Sequence, residues 1–162
     1  MESNVVLTED TQHGRYLIFA LGEESFGMEI ACVTEIVGMQ TVTWLPDTPD
    51  YIKGVINLRG RVIPVVDMRL RFCKESSAYT DRTCIIIAEI QDASIGLIVD
   101  NVSEVLTIED EEIVPPPAAM MGEQNRYVKA IGKAGGGVKL LLDCNKLLDR
   151  DEFNTIKLED VL

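Results

Sequence analysis

The chain carries one pattern twice. With Gly27 set over Gly96, an offset of 69 residues (96 − 27), the flanks agree. Phe26-Gly27-Met28-Glu29-Ile30 lies over Ile95-Gly96-Leu97-Ile98-Val99, Val33-Thr34-Glu35-Ile36 over Val102-Ser103-Glu104-Val105, and Leu45-Pro46 over Val114-Pro115. Seven extra residues then enter the second copy, and the match resumes at an offset of 76 (127 − 51). There Tyr51-Ile52-Lys53-Gly54-Val55 lies over Tyr127-Val128-Lys129-Ala130-Ile131, and Val65-Val66-Asp67 over Leu141-Leu142-Asp143. Such self-similarity means two units of one architecture. Positions where the copies differ then point to function rather than fold.

A unit of about 65 residues buries only about 60% of its unfolded surface and is marginal alone. The two units gain by packing together, so one compact body is expected. With 46% apolar residues the chain can build real cores. Acidic residues outnumber basic ones 27 to 15, for a formal net charge of −12. A groove for phosphate backbones needs clustered Lys and Arg, so neither nucleic acid nor an anionic membrane is expected as a partner. The four cysteines, Cys32, Cys73, Cys84 and Cys144, have no paired spacing for zinc or for a redox couple. Cys32, Cys84 and Cys144 lie in apolar runs and read as small buried hydrophobes, compatible with a reducing cytoplasm. The first dozen residues are polar, and no apolar run approaches the roughly 18 residues of a bilayer span. A soluble, cytoplasmic protein without membrane insertion is the expectation.

Arg15 to Leu21 and Phe26 to Ile30 are apolar runs around turn chemistry at Gly22 to Ser25, which reads as a hairpin. Gly27 and Gly96 mark a shared bend or bulge. Val33 to Val37 reads as a short strand or one helical turn, and Val42 to Leu45 is β-prone. Val55-Ile56 and Val62 to Val66 form another hairpin around Asn57 to Arg61. Pro64 donates nothing to a ladder and predicts an edge or a bulge there. Asp67 and Asp143 are placed to cap short helices, Met68 to Phe72 and Cys144 to Leu148. Lys74 to Asp81 is a polar connector, Pro115 to Pro117 a stiff linker, and Arg150 to Leu162 an acidic, loosely helical tail. About five short strands per copy, with frequent turns, indicate small barrels or a sandwich.

Little of this is catalytic chemistry. The single histidine, His13, lies in the polar start. A metal site, a histidine base or a cysteine nucleophile would need better company. Gly135-Gly136-Gly137 reads as a hairpin tip without a helix to cradle a phosphate. The run Glu109-Asp110-Glu111-Glu112 reads as a solvated face. No catalytic residue, cofactor or metal is expected. The informative segment is Asn57-Leu58-Arg59-Gly60, with the chemistry of a type I turn. The second copy has Lys133-Ala134-Gly135-Gly136 there, so the fold tolerates other turns. The first copy instead places a guanidinium at the tip, a group suited to protein interfaces. Glu35 is its natural ion-pair partner, a pair worth about 0–1 kcal/mol if exposed.

Tyr16-Leu17-Ile18-Phe19, Gly22-Glu23-Glu24, Phe26-Gly27-Met28, Val33-Thr34-Glu35-Ile36, the long run Tyr51 to Gly60, and Ile63-Pro64-Val65-Val66-Asp67 together resemble CheW-type chemotaxis coupling proteins. So do Gly96-Leu97-Ile98-Val99-Asp100 and Val102-Ser103-Glu104-Val105-Leu106. The resemblance spans about residues 15–148. It implies an all-β fold of two packed, five-stranded SH3-like barrels with short connecting helices. The first barrel, the receptor-coupling half, would cover 14–72 and the second 82–149, with tails at 1–13 and 150–162. Strands could be exchanged between the barrels. It further implies a non-catalytic scaffold joining the cytoplasmic tip of transmembrane chemoreceptors to the regulatory domain of the chemotaxis histidine kinase, at membrane-bound receptor arrays, so that receptor state controls autophosphorylation. Receptor contact would fall on Val33, Glu35, Gly54, Asn57 and Arg59, and part of the kinase contact on Val102 and Val105. The insertion at 118–125 and the acidic tail match no family motif. The same fold could serve another array, for surface motility or gene expression. A small-ligand or enzyme domain at the junction of the barrels is a third reading, and it would need a deep pocket with convergent polar groups.

Overall fold

Branched and aromatic runs too short for helices become strands along the whole chain. The computed structural model describes residues 13–120, 122 and 126–148. Residues 1–12, positions 121 and 123–125 of the insertion, residue 149 and the tail at 150–162 lie outside the described residues. The first copy contains β1 (Arg15–Leu21), β2 (Glu24–Glu29), β3 (Val33–Gly38), β4 (Ile52–Leu58), β5 (Arg61–Asp67) and a short helix α1 (Met68–Arg71). The second contains β6 (Cys84–Ile90), β7 (Ala93–Val99), β8 (Asn101–Thr107), β9 (Ile113–Val114), β10 (Val128–Ala134) and β11 (Gly137–Leu142). A 3₁₀ turn at Ile30–Cys32 joins β2 to β3, and another at Cys144–Lys146 follows β11.

The sheets do not follow the halves of the chain. One has the order β8-β1-β2-β11-β10-β9, the other β3-β6-β7-β5-β4. Each sheet therefore takes its opening hairpin from the other copy: β1–β2 completes the second, β6–β7 the first. The join is the same in both. β2 runs parallel to β11 with Leu141 opposite Gly27, and β7 runs parallel to β5 with Val65 opposite Gly96. Gly27 and Gly96 are there for space. A Cβ would stand 2.9 Å from Leu141 Cδ2 at the first and 2.7 Å from Val65 Cγ1 at the second, closer than packed carbons tolerate.

Both faces of the central strands are covered, so β1 and β6 read as near-continuous apolar runs rather than alternating ones. On one face, Ile56, Leu58, Ile63, Val65, Ile85, Ile87 and Ile98 fill the hollow of the five-stranded sheet. Tyr16, Ile18, Ile108 and Leu141 do the same for the six-stranded one. Between the sheets lies a larger shared core that includes Leu17, Phe19, Met28, Ile86, Leu97 and Leu142. A run of ring contacts crosses it: Phe19 on Phe26 at 5.6 Å, Phe26 on Phe72 at 5.2 Å, Phe72 on Tyr127 at 5.4 Å. This shared core is what makes two marginal units one folded body.

Two local readings of the sequence change. Pro64 is not on an edge, since β5 lies between β7 and β4; of the two alternatives, an irregularity lies beside it, where β4 shifts register between Ile52 and Gly54 opposite Val66 and Val65. Its opposite residue, Val55, sends both backbone groups the other way, to Thr43 at 2.8 and 2.9 Å, and the ladder to β7 begins at Val65. No neighbour asks for the missing N–H. Asp67 caps α1, accepting from Arg69 N at 3.0 Å and Leu70 N at 3.3 Å, but Asp143 caps only a 3₁₀ turn, through Asn145 N at 3.1 Å.

Candidate functional site

The apex between β4 and β5 is a two-residue turn. Leu58 and Arg61 pair across it, and both residues between them have positive φ, Arg59 at 52° and Gly60 at 86°. That is the type I′ pattern, whose twist matches that of a hairpin, and it replaces the type I turn read from the sequence. The same turn in the second copy is Gly135 and Gly136, at 63° and 77°. There glycine takes the left-handed region freely. Arg59 takes it at a cost of about 1–2 kcal/mol, because its Cβ crowds the following carbonyl. Asn57 holds the turn by accepting from Gly60 N through Oδ1 at 2.8 Å.

Arg59 reaches across to β3 and donates from Nη2 to Glu35 Oε2. Since β3 and β4 are the two edges of the five-stranded order, this ion pair shows that the sheet curls until its edges face each other. Arg59 remains 67% exposed and Glu35 29%, so the pair adds only about 0–1 kcal/mol to stability. Its effect is to bias the solvent-facing guanidinium toward β3.

Glu35, Asn57 and Arg59 thus come together at one end of the sheet. Val33 and Gly54 do not share that surface. Val33 is half-buried against the shared core. Gly54 is buried at a β4 irregularity with φ 144°, and a Cβ there would stand 2.0 Å from the Thr43 carbonyl oxygen. Only glycine lets Thr43 bridge to Val55. On β8, Val102 lies opposite Phe19 and packs on the shared core, whereas Val105 lies opposite Leu17 and is 40% exposed.

Two exposed apolar groups of the first copy were not singled out in the sequence. Ile36, the repeat counterpart of Val105, is 44% exposed on the edge strand β3, and Trp44 is 72% exposed just after the Thr43 bridge. The burial pattern of β3 alternates so that Val33, Glu35 and Val37 turn inward and Ile36 outward. Strict alternation counted from Val33 would have found Ile36; nothing local distinguishes Trp44.

The junction between the copies holds an open cleft lined by Asp50, Tyr51, Leu70, Arg71, Cys73, Lys74, Arg126 and Tyr127. Arg71 is spent on the fold. Its guanidinium lies between the rings of Tyr51 and Tyr127, at 4.4 and 4.8 Å, and its Nε donates to the Leu147 carbonyl at 2.6 Å. Lys74 pairs with Glu24. Among the described residues no three His, Cys, Asp or Glu side chains are grouped to hold a metal ion, and no helix is long and apolar enough to cross a membrane.

Doubled small sheets, with side chains presented at a hairpin apex and on edge strands, define a protein-docking module. The CheW-like domain model matches residues 15–152. The chain is 37% identical over 147 residues to the chemotaxis protein CheW of Klebsiella aerogenes, covering 91% of this chain and 89% of that protein. It is 34% identical over 143 residues to the chemotaxis protein CheW of Rhizobium meliloti, covering 88% and 92%. The crystal structure of the scaffolding protein TtCheW from Thermoanaerobacter tengcongensis superposes with a TM-score of 0.78 at 34% identity, over 86% of this chain and 94% of that one. The chain belongs to the CheW-like family of non-catalytic chemotaxis scaffolds.

Proposed function

We propose that this scaffold couples the cytoplasmic tip of transmembrane chemoreceptors to the regulatory domain of the chemotaxis histidine kinase, and so supports control of autophosphorylation within membrane-associated arrays. One observation carries the reading. The first copy keeps a strained arginine at a turn where the second copy uses glycine, and aims it with Glu35. Gln91 and Asp92 at the β6–β7 turn also take positive φ, so strain alone does not mark a site; at Arg59 it coincides with an exposed cation held by an ion pair, and that combination supports the reading. Glu35, Asn57 and Arg59 form the receptor contact, with Ile36 supplying apolar area beside them; Val33 and Gly54 support it from beneath. Val105, on the edge of the other sheet, belongs to the kinase contact, with Val102 behind it. Holding both partners at once raises their effective concentration for each other, and kinase control then requires that receptor states differ in how they hold the bridge.

Arg59→Asp tests this reading. It reverses the charge at the apex and sets two carboxylates face to face. Binding to a receptor cytoplasmic fragment should weaken by at least about tenfold, in line with loss of a central interface charge. Binding to the kinase regulatory domain should hold, and the melting temperature should stay within a few degrees. Undiminished receptor affinity would refute the assignment, and a collapse of thermal stability would show Arg59 to be structural.

A further inference from the structure

The fold unites two cysteines that the sequence holds 112 residues apart (144 − 32). Read along the chain they had no redox spacing; in space they are neighbours. β2 and β11 lie side by side and parallel, so their C-terminal ends emerge together. Each then turns into a 3₁₀ turn, Ile30–Cys32 after β2 and Cys144–Lys146 after β11. The parallel join sets Cys32, packed against the shared core, beside Cys144, which is part of that core, and the two thiols perturb each other. Cys144 is buried in the shared core, while Cys32 is half-buried at its rim. The two other cysteines described have no such partner: Cys73 is exposed on the connector, and Cys84 lies on β6.

We propose that Cys32 and Cys144 form a reversible modification site, a dithiol oxidised to an intramolecular disulfide by low-molecular-weight disulfides. Cys32 is the attacking sulfur and Cys144 the resolving one. The Cys32 thiolate attacks one sulfur of the small disulfide, forming a mixed disulfide and releasing one small thiolate. Cys144 Sγ then gives up its proton and attacks Cys32 Sγ, expelling the second small thiolate. Two protein thiols lose two electrons and two protons; one small disulfide becomes two small thiols.

The surroundings support that division of roles. The neighbouring Cys144 thiol lowers the Cys32 pKa to about 7 against the opposing effect of burial. Glu29 and Asp143 work against the thiolate and Lys129 favours it, with Lys129 and Glu29 themselves paired. Cys144 is moved the other way, by the neighbouring Cys32 and by burial, and keeps its proton. A thiol that is accessible and part-ionised at neutral pH attacks; the buried one waits.

The test uses the full chain carrying Cys73→Ser and Cys84→Ser, incubated with oxidised glutathione. Peptide mass spectrometry should find a Cys32–Cys144 link that thiol reductant reverses, with no stable glutathione adduct. The link should be absent in Cys32→Ser, and Cys144→Ala should accumulate the glutathione adduct on Cys32. In Cys144→Ala, still folded by circular dichroism, half-maximal alkylation of Cys32 should also move to a higher pH. Failure of the link to form in the folded protein, or a glutathione adduct on Cys32 that persists with Cys144 present, would overturn the proposal.

Discussion

At the scale of single residues, two left-handed turns of one design differ in strain. Gly135 and Gly136 close the β10–β11 hairpin without strain; Arg59 and Gly60 close the β4–β5 hairpin with strain at the arginine. Arg59→Gly makes the first apex like the second. It loses a weak ion pair and increases unfolded-chain freedom, and it removes the crowding of the Arg59 Cβ. These effects oppose one another, so unfolding in urea should change by no more than about 1 kcal/mol. Receptor binding should fall as far as in Arg59→Asp, with no new carboxylate to repel anything. A variant that is equally stable yet disconnected would separate the two roles of this position. The candidate was legible because the copies differ there. The strain was not, because a type I and a type I′ turn can share residues and differ in the sign of φ. Gly54 was named only through the family resemblance, and its structural reason, the approach of Thr43 to within 2.0 Å of where a Cβ would stand, depends on a contact that the sequence does not show.

At the scale of elements, Asp100 fastens three of them. It follows β7, accepts from Gly22 N at 2.7 Å in the β1–β2 turn, and receives Arg69 of α1 through Nε at 2.8 Å and Nη2 at 2.5 Å. The Arg69 guanidinium, before any other group, holds the Asp100 carboxyl below its ordinary value of 3.8, with Gly22 N adding to the effect against burial. The sign follows from linkage. A carboxylate with a depressed folded pKa gives its full stabilisation above the unfolded value, and that is lost as pH falls through the folded one. Asp100→Asn should therefore cost about 1–2 kcal/mol at pH 7, the scale of a charge-assisted hydrogen bond. The gap from the wild type should narrow once the pH drops below 3.8. A gap that stays constant from pH 7 to pH 2 in urea titrations would remove the ion pair from the account. Neither this clamp nor the strand partners could be read along the chain. Hairpins such as β1–β2 and β4–β5 follow from local alternation and turn residues. The parallel contacts of β2 with β11 and of β5 with β7 do not, because the copies are alike and either hairpin suits either sheet.

At the scale of the whole molecule, the exchanged hairpins make the two copies mutually dependent. Cut the polar connector between Ser76 and Ser77, and the first fragment keeps β3, β5 and β4 but loses the β6–β7 pair that stands between β3 and β5. The second keeps β8, β11, β10 and β9 but loses the β1–β2 pair between β8 and β11. Each fragment could in principle fold its own hairpin into the vacant place, since β1–β2 and β6–β7 are repeats of one unit. Such a self-contained unit would still expose the side chains of the shared core, Leu17, Phe19 and Met28 in one fragment and Ile86, Leu97 and Leu142 in the other. A single-copy unit of about 80 residues has little stability to spare for that exposure. The fragments should therefore lack a cooperative melt when separate. Mixed, they should form a one-to-one complex whose melting temperature rises with concentration, because association and folding are then one equilibrium. The Arg59 apex lies wholly in the first fragment but is built on a sheet whose centre comes from the second, so receptor binding should return only on mixing. Two fragments that each melt cooperatively, or a first fragment that binds receptor alone, would show that the copies fold independently and that the exchange is only a path of the chain.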